Sequence, residues 1–119
     1  MPIQFDTERG KILVTDEMIA TIAGFAALEC YGLVGMASKN KLKDGIAELL
    51  RRDNLRRGVD VRHQGDEVHI DLYIIVSYGT KISEVANNVQ SKVKYVLNDI
   101  VGLQVSSVNI FVQGVRVSP

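Results

Sequence analysis

Between Val68 and Val112 the apolar pattern switches from the two-residue repeat of a strand to the three- and four-residue steps of a helix, then back. Few architectures accept that switch. Val68, Ile70, Leu72, Ile74 and Val76 alternate on one face of a predicted strand. Ile82, Val85, Ala86, Val89, Val93, Val96, Leu97 and Ile100 form one stripe of a long helix, and Val108, Ile110 and Val112 alternate again. Each element must bury its apolar side against another. The expected fold is therefore α+β, a two-layer sandwich with helices packed on one face of a small mixed sheet.

The flanking residues extend the pattern. Lys11 to Val14 reads as a short strand, and Thr15 or Asp16 caps a helix whose apolar face comprises Met18, Ile19, Ile22, Ala23, Phe25 and Ala26. That helix is expected to end near Tyr31, with Gly32 as its left-handed cap. Leu42, Ile46, Leu49 and Leu50 have the spacing of a second, shorter helix. Val59 and Val61 then alternate into a hairpin; with Gly65 and Asp66 at its turn, Val61 faces Ile70 and Val59 faces Leu72. The predicted order is β-α-α-β-β-α-β in one domain spanning residues 1–119. The sheet face away from the helices would carry Arg62, His69, Asp71, Tyr73, Ile75, Asn109 and Phe111.

Composition narrows the function classes. Fourteen basic residues balance fourteen acidic ones, so any preference for nucleic acid, membrane or an acidic partner must be local. The lone Cys30 lies within the apolar run of the first helix and reads as a buried thiol, consistent with a reducing compartment. No apolar run approaches the ~18 residues of a membrane span, and the acidic start at Asp6 and Glu8 is unlike a signal peptide. A cytoplasmic protein is expected, reaching the membrane only through a partner and without inserting.

No catalytic centre, cofactor site or metal site is visible in the sequence. His63 and His69 fall on opposite faces of the hairpin, and Cys30 has no second cysteine with which to build a zinc site. Asp60 and Asp71 would be neighbours, but Arg62 and His69 beside them make an ordinary cross-strand charge cluster. Ser77 to Lys81 joins a strand to a helix without the glycine spacing of a nucleotide loop; Gly79 as turn residue and Thr80 as N-cap account for it. The chain is expected not to be an enzyme.

Two kinds of contact surface remain. Tyr73, Ile75 and Phe111 form an apolar patch on the open sheet face, suited to self-association. The segment from Lys39 to Gly58 has seven basic and three acidic residues, a local +4, with Arg51, Arg52, Arg56 and Arg57 as its densest part. Gly32 to Gly35 forms a GxxG, which between two helices would suit a KH-like RNA-binding module. Nucleic acid is the alternative partner, disfavoured because Leu33 and Val34 are apolar where a phosphate clamp prefers polar residues.

The runs Ile22 to Ala37 (IAGFAALECYGLVGMA), Tyr73 to Ile82 (YIIVSYGTKI) and Val108 to Arg116 (VNIFVQGVR), with Gly10-Lys11-Ile12 before the first helix, resemble the alkaline-shock-protein family of Gram-positive bacteria, especially its short YloU-like branch. The likeness covers nearly the whole chain. It implies a non-enzymatic cytoplasmic scaffold of the envelope and general stress response that forms homo-oligomers and is held near the membrane by a separate anchor protein. The family has no established catalytic residues, so the resemblance supplies no sites.

Overall fold

A computed structural model describes residues 3–43, 46–49 and 52–117. The elements are β1 (Ile3–Thr7), β2 (Gly10–Val14), α1 (Asp16–Leu28), β3 (Leu33–Lys43), β4 (Ile46–Leu49), a 3-10 segment (Arg52–Gly58), β5 (Val59–Gln64), β6 (Glu67–Ser77), α2 (Ile82–Val96) and β7 (Ser107–Arg116). The fold is α+β, as the sequence pattern requires.

β6 organises the sheet. β7 runs parallel along one edge from His69 to Ser77. The other edge is shared, with antiparallel β5 covering Glu67 to Leu72 and antiparallel β3 covering Ile74 to Val76. The predicted hairpin register is found residue by residue: Val59 opposite Leu72, Val61 opposite Ile70, and Gln64 opposite Glu67 across the turn. Gly65, at φ +62°, supplies the left-handed conformation this tight turn needs.

The five even-numbered residues of β6 from Val68 to Val76 are buried together with Ile19, Ala23 and Ala27 of α1 and Val85, Val89 and Val93 of α2. Burying a large aliphatic side chain contributes about 1.5–3 kcal/mol, so this layer dominates the stability. α1 starts at Thr15, whose Oγ1 accepts from the Met18 amide at 3.2 Å. Replacing Thr15 by Ala should cost about 1 kcal/mol. Chemical denaturation checks it, and no change would mean that water caps the helix as well as the hydroxyl does.

Several local expectations are corrected. The predicted second helix is not found at Leu42, Ile46 or Leu49, which lie in strands, and Leu50 lies outside the described residues: β3 and β4 pair antiparallel, with Lys43 opposite Ile46 and Ala37 opposite Leu49. β4 also approaches β7, although β3 and β7 occupy opposite edges of β6, so this hairpin curls across the sheet. An additional strand, β1, pairs with β2 in a separate two-stranded sheet. α1 ends at Leu28 with Glu29 as its cap, short of Gly32, and its Met18 and Phe25 are exposed. The N-cap of α2 is Lys81 instead of Thr80, whose hydroxyl donates to the Ser77 carbonyl at 2.7 Å. Beyond Val96 the helix widens into a π-turn, Leu97–Val101, which rotates Ile100 out of the apolar stripe and leaves it 66% exposed.

Candidate interaction surface

The sheet face away from the helices is built from the odd-numbered residues of β6 and their neighbours. Register places Arg62 beside His69 and Asp60 beside Asp71 on β5 and β6. On the other side it aligns Ser107, Asn109 and Phe111 of β7 with His69, Asp71 and Tyr73. Two zones result: a polar cluster toward the β5–β6 turn and an aromatic pair further along.

The polar cluster is centred on Asp71, the one buried charged residue among the described residues. Arg62 donates to it from Nε at 2.7 Å and from an Nη at 3.1 Å, a bidentate fork, and Asn109 Nδ2 donates at 2.9 Å. The hydrogen bonds from Arg62 hold the Asp71 carboxyl below the usual carboxylate range against the opposing effect of burial, and Asn109 adds to them. Ser107 Oγ lies 2.6 Å from His69 Nδ1 and 3.3 Å from Asn109 Nδ2, while His69 Nε2 lies 3.1 Å from Glu67. Each of these side chains has a partner, which is the signature of a structural cross-strand network.

The aromatic pair is different in kind. The Tyr73 and Phe111 rings stack with centroids 4.9 Å apart and planes 14° from parallel. Tyr73 is half-buried and Phe111 is 43% exposed. Ile75, expected beside them, is 3% exposed and is lost from the accessible patch. It sits between Gly35 of β3 and Gly114 of β7, where the β3–β4 hairpin curls over the sheet.

The basic segment is only partly visible. Arg51 and the Arg52 side chain lie outside the described residues. Arg56 and Arg57 are exposed at the end of the 3-10 segment, where Arg56 reaches Glu17 at 3.4 Å. A shallow depression holds both arginines with Asp16, Glu17 and Asp60, so acidic groups of the same chain offset part of the local positive charge. The GxxG does not lie between two helices. Gly32 closes the turn after α1 at φ +89°, and Leu33 already opens β3.

The histidines point apart as the register predicts. His63 Nε2 contacts Asp16 Oδ1 at 2.8 Å on the α1 side, while His69 belongs to the open-face cluster. Among the described residues, no three His, Cys, Asp or Glu side chains are placed to hold a metal ion. Cys30 is half-buried against the Ala26 carbonyl, and burial pushes its thiol pKa up. An open depression of about 500 Å³ between α2 and the Leu103–Val105 segment is lined by Ser91, Lys94, Tyr95 and Asn98. Lys94 there complements the carboxyl end of α2.

Alternation in the sequence gathers Arg62, Asp71, Tyr73, Asn109 and Phe111 on one face. It misses the Ser107 link to His69 and the His63 link to Asp16, both of which need the three-dimensional placement of distant elements. Among the described residues, no helix is long and apolar enough to cross a membrane.

A mixed sheet backed by two helices, with a satisfied polar cluster and an accessible aromatic pair on its other face, defines a small α+β domain. The chain belongs to the alkaline-shock-protein family, described as having a cell envelope-related function, whose model matches residues 4–117. It is 62% identical to the uncharacterized protein YloU of Bacillus subtilis (strain 168), across 99% of this chain and 98% of that one. It is 42% identical to the uncharacterized protein Spy1614 of Streptococcus pyogenes serotype M6, across 98% and 97%. A more distant relative is the uncharacterized protein YqhY of Bacillus subtilis, at 32% identity across 93% and 81%. No solved structure matches this chain.

Proposed function

We propose that this chain is a non-enzymatic scaffold of the cell-envelope stress response, working by self-association and by docking a partner that holds it near the membrane. The observation that carries the reading is the accessible Tyr73–Phe111 stack on the sheet face opposite the helices. Aromatic groups left accessible beside a fully paired polar network suit a contact centre with a polar rim. Arg56 and Arg57 offer a second contact for an acidic partner. Family membership with a cell envelope-related function supports the setting.

Light scattering coupled to size-exclusion chromatography tests it across concentration and salt. The wild-type chain should form an oligomer that survives high salt, and Tyr73→Ser with Phe111→Ser should weaken assembly by roughly tenfold or more, with the circular dichroism spectrum unchanged. Unaltered assembly in that variant would remove this face from the contact. A wild-type monomer at every concentration would remove self-association altogether.

A further inference from the structure

Among the described residues β7 pairs only with β6, so its outer edge presents backbone groups without a strand partner. The direction of those groups is fixed by two hydrogen bonds. The Val108 carbonyl accepts from Gln90 Nε2 of α2 at 2.8 Å, which turns it away from the β6 ladder. At the far end, the Arg116 carbonyl accepts from the Tyr78 amide on the β6 side, beyond the register shift between Val112 and Gly114. Backbone groups alternate along a strand, so Ile110 and Val112 also point outward, while Asn109 and Phe111 point into β6.

Edge strands that stay single are usually blunted by lysine, proline or inward charges. From Ser107 to Val115, β7 has no charged residue and no proline; among the described residues Gln90 caps one end of it and β4 approaches it. The sequence in the middle is a chemical palindrome. Asn109-Ile110-Phe111-Val112-Gln113 reads amide, aliphatic, aromatic, aliphatic, amide from either direction. A two-fold axis through Phe111 sets each residue opposite its mirror position on the same sheet face, so this pattern matches amide with amide and aliphatic with aliphatic across the pair.

We infer that the partner is a second copy of this chain, and that two β7 strands pair antiparallel about a two-fold axis through Phe111, joining the two sheets into one. This rests on the self-association proposed above and specifies its geometry. Ile110 and Val112 exchange backbone hydrogen bonds with Val112 and Ile110 of the second copy. Phe111 meets its own counterpart as a non-hydrogen-bonded pair, in which Cα atoms lie only about 4.5 Å apart. Each Phe111 already stacks on Tyr73. The axis therefore extends two separate stacks into a four-ring ladder across the joint sheet, with Asn109 opposite Gln113 at both ends. A two-fold axis perpendicular to the sheet leaves both helical layers on the same side of the joint sheet.

The test uses the full chain with Cys30→Ala as background. Phe111→Cys should be trapped as a disulfide-linked dimer under mild oxidation, because the paired Cα atoms fall within disulfide range. Val115→Cys, 48% exposed but several residues from the axis, should not cross-link with itself. Val112→Pro, which removes an outward amide, should convert the wild-type oligomer to monomer with the circular dichroism spectrum retained. A wild-type oligomer that persists in Val112→Pro, or that yields no Phe111→Cys disulfide, would overturn the edge pairing while leaving self-association standing. A wild-type chain that is monomeric throughout would overturn both.

Discussion

Gly58→Ala should lower the stability of the folded chain by about 3 kcal/mol, at the upper end of the cost of overpacking a filled site. Gly58 ends the 3-10 segment and is buried against β3. A Cβ added there would lie 2.8 Å from the Ala37 carbonyl oxygen and 2.8 Å from Met36 Cβ. Neither neighbour can yield cheaply. The oxygen belongs to the backbone of β3, and Met36 and Ala37 are both fully buried. Relief therefore requires the 3-10 segment to move away from β3, carrying with it Leu55, which packs at 3% exposure against α1. In a domain of this size the melting temperature should fall by roughly 10 °C. Gly65→Ala provides the contrast. Nothing lies within 4 Å of its added Cβ, and the cost arises only from φ +62°, at about 1 kcal/mol. Thermal melts of the two variants that gave equal losses would show that close approach is not what requires glycine at Gly58.

Sequence is informative where several local signals agree. The hairpin from Val59 to Ser77 is legible down to its register because alternation in both strands, glycine at the turn and apolar partners on one face all point the same way. α2 is legible because its stripe persists for four turns. The segment after α1 misleads because Leu42, Ile46, Leu49 and Leu50 satisfy helical spacing by coincidence. The informative signal is Asp44-Gly45, a pair favoured in two-residue hairpins, which falls between the paired Lys43 and Ile46. β1 escapes detection because five residues with two large apolar side chains carry too weak a period.

The candidate surface divides in the same way. Which residues share the open face follows from alternation and can be read from the sequence. Which of them remain accessible does not. Ile75 and Phe111 look equivalent in the sequence, yet one is buried where the β3–β4 hairpin curls over β6 and the other sits on an edge strand. Likewise, Asp60 and Asp71 are cross-strand neighbours, and only the placement of β7 selects Asp71 as the buried member. Asn109 arrives beside it from 38 positions further along the chain.

That selection makes the Asp71 carboxylate the main acid-sensitive element of the described sheet. Replacing Asp71 by Ala should cost about 2 kcal/mol at neutral pH, because charge-assisted hydrogen bonds to a buried group are removed together. Arg62 is half-exposed and returns to water, which limits the loss, whereas Asn109 is left beside the gap. The folded-state pKa of Asp71 is depressed, first by the hydrogen bonds from Arg62 and then by Asn109, with burial acting in opposition. An unfolded aspartate titrates near ~3.9. The stabilisation is therefore fully present above that pH and is lost as pH falls through the lower folded-state pKa, where both states carry the proton. Asp71→Asn keeps the shape but cannot titrate. Its stability curve, from urea unfolding at steps between neutral and acid pH, should lie below that of the wild type at neutral pH and converge with it under acid. Curves that stay parallel would place the acid sensitivity in other carboxylates. They would reduce the Arg62–Asp71–Asn109 cluster to a neutral packing element, and the effects of Asp71→Asn and Arg62→Met would then simply add in the double variant.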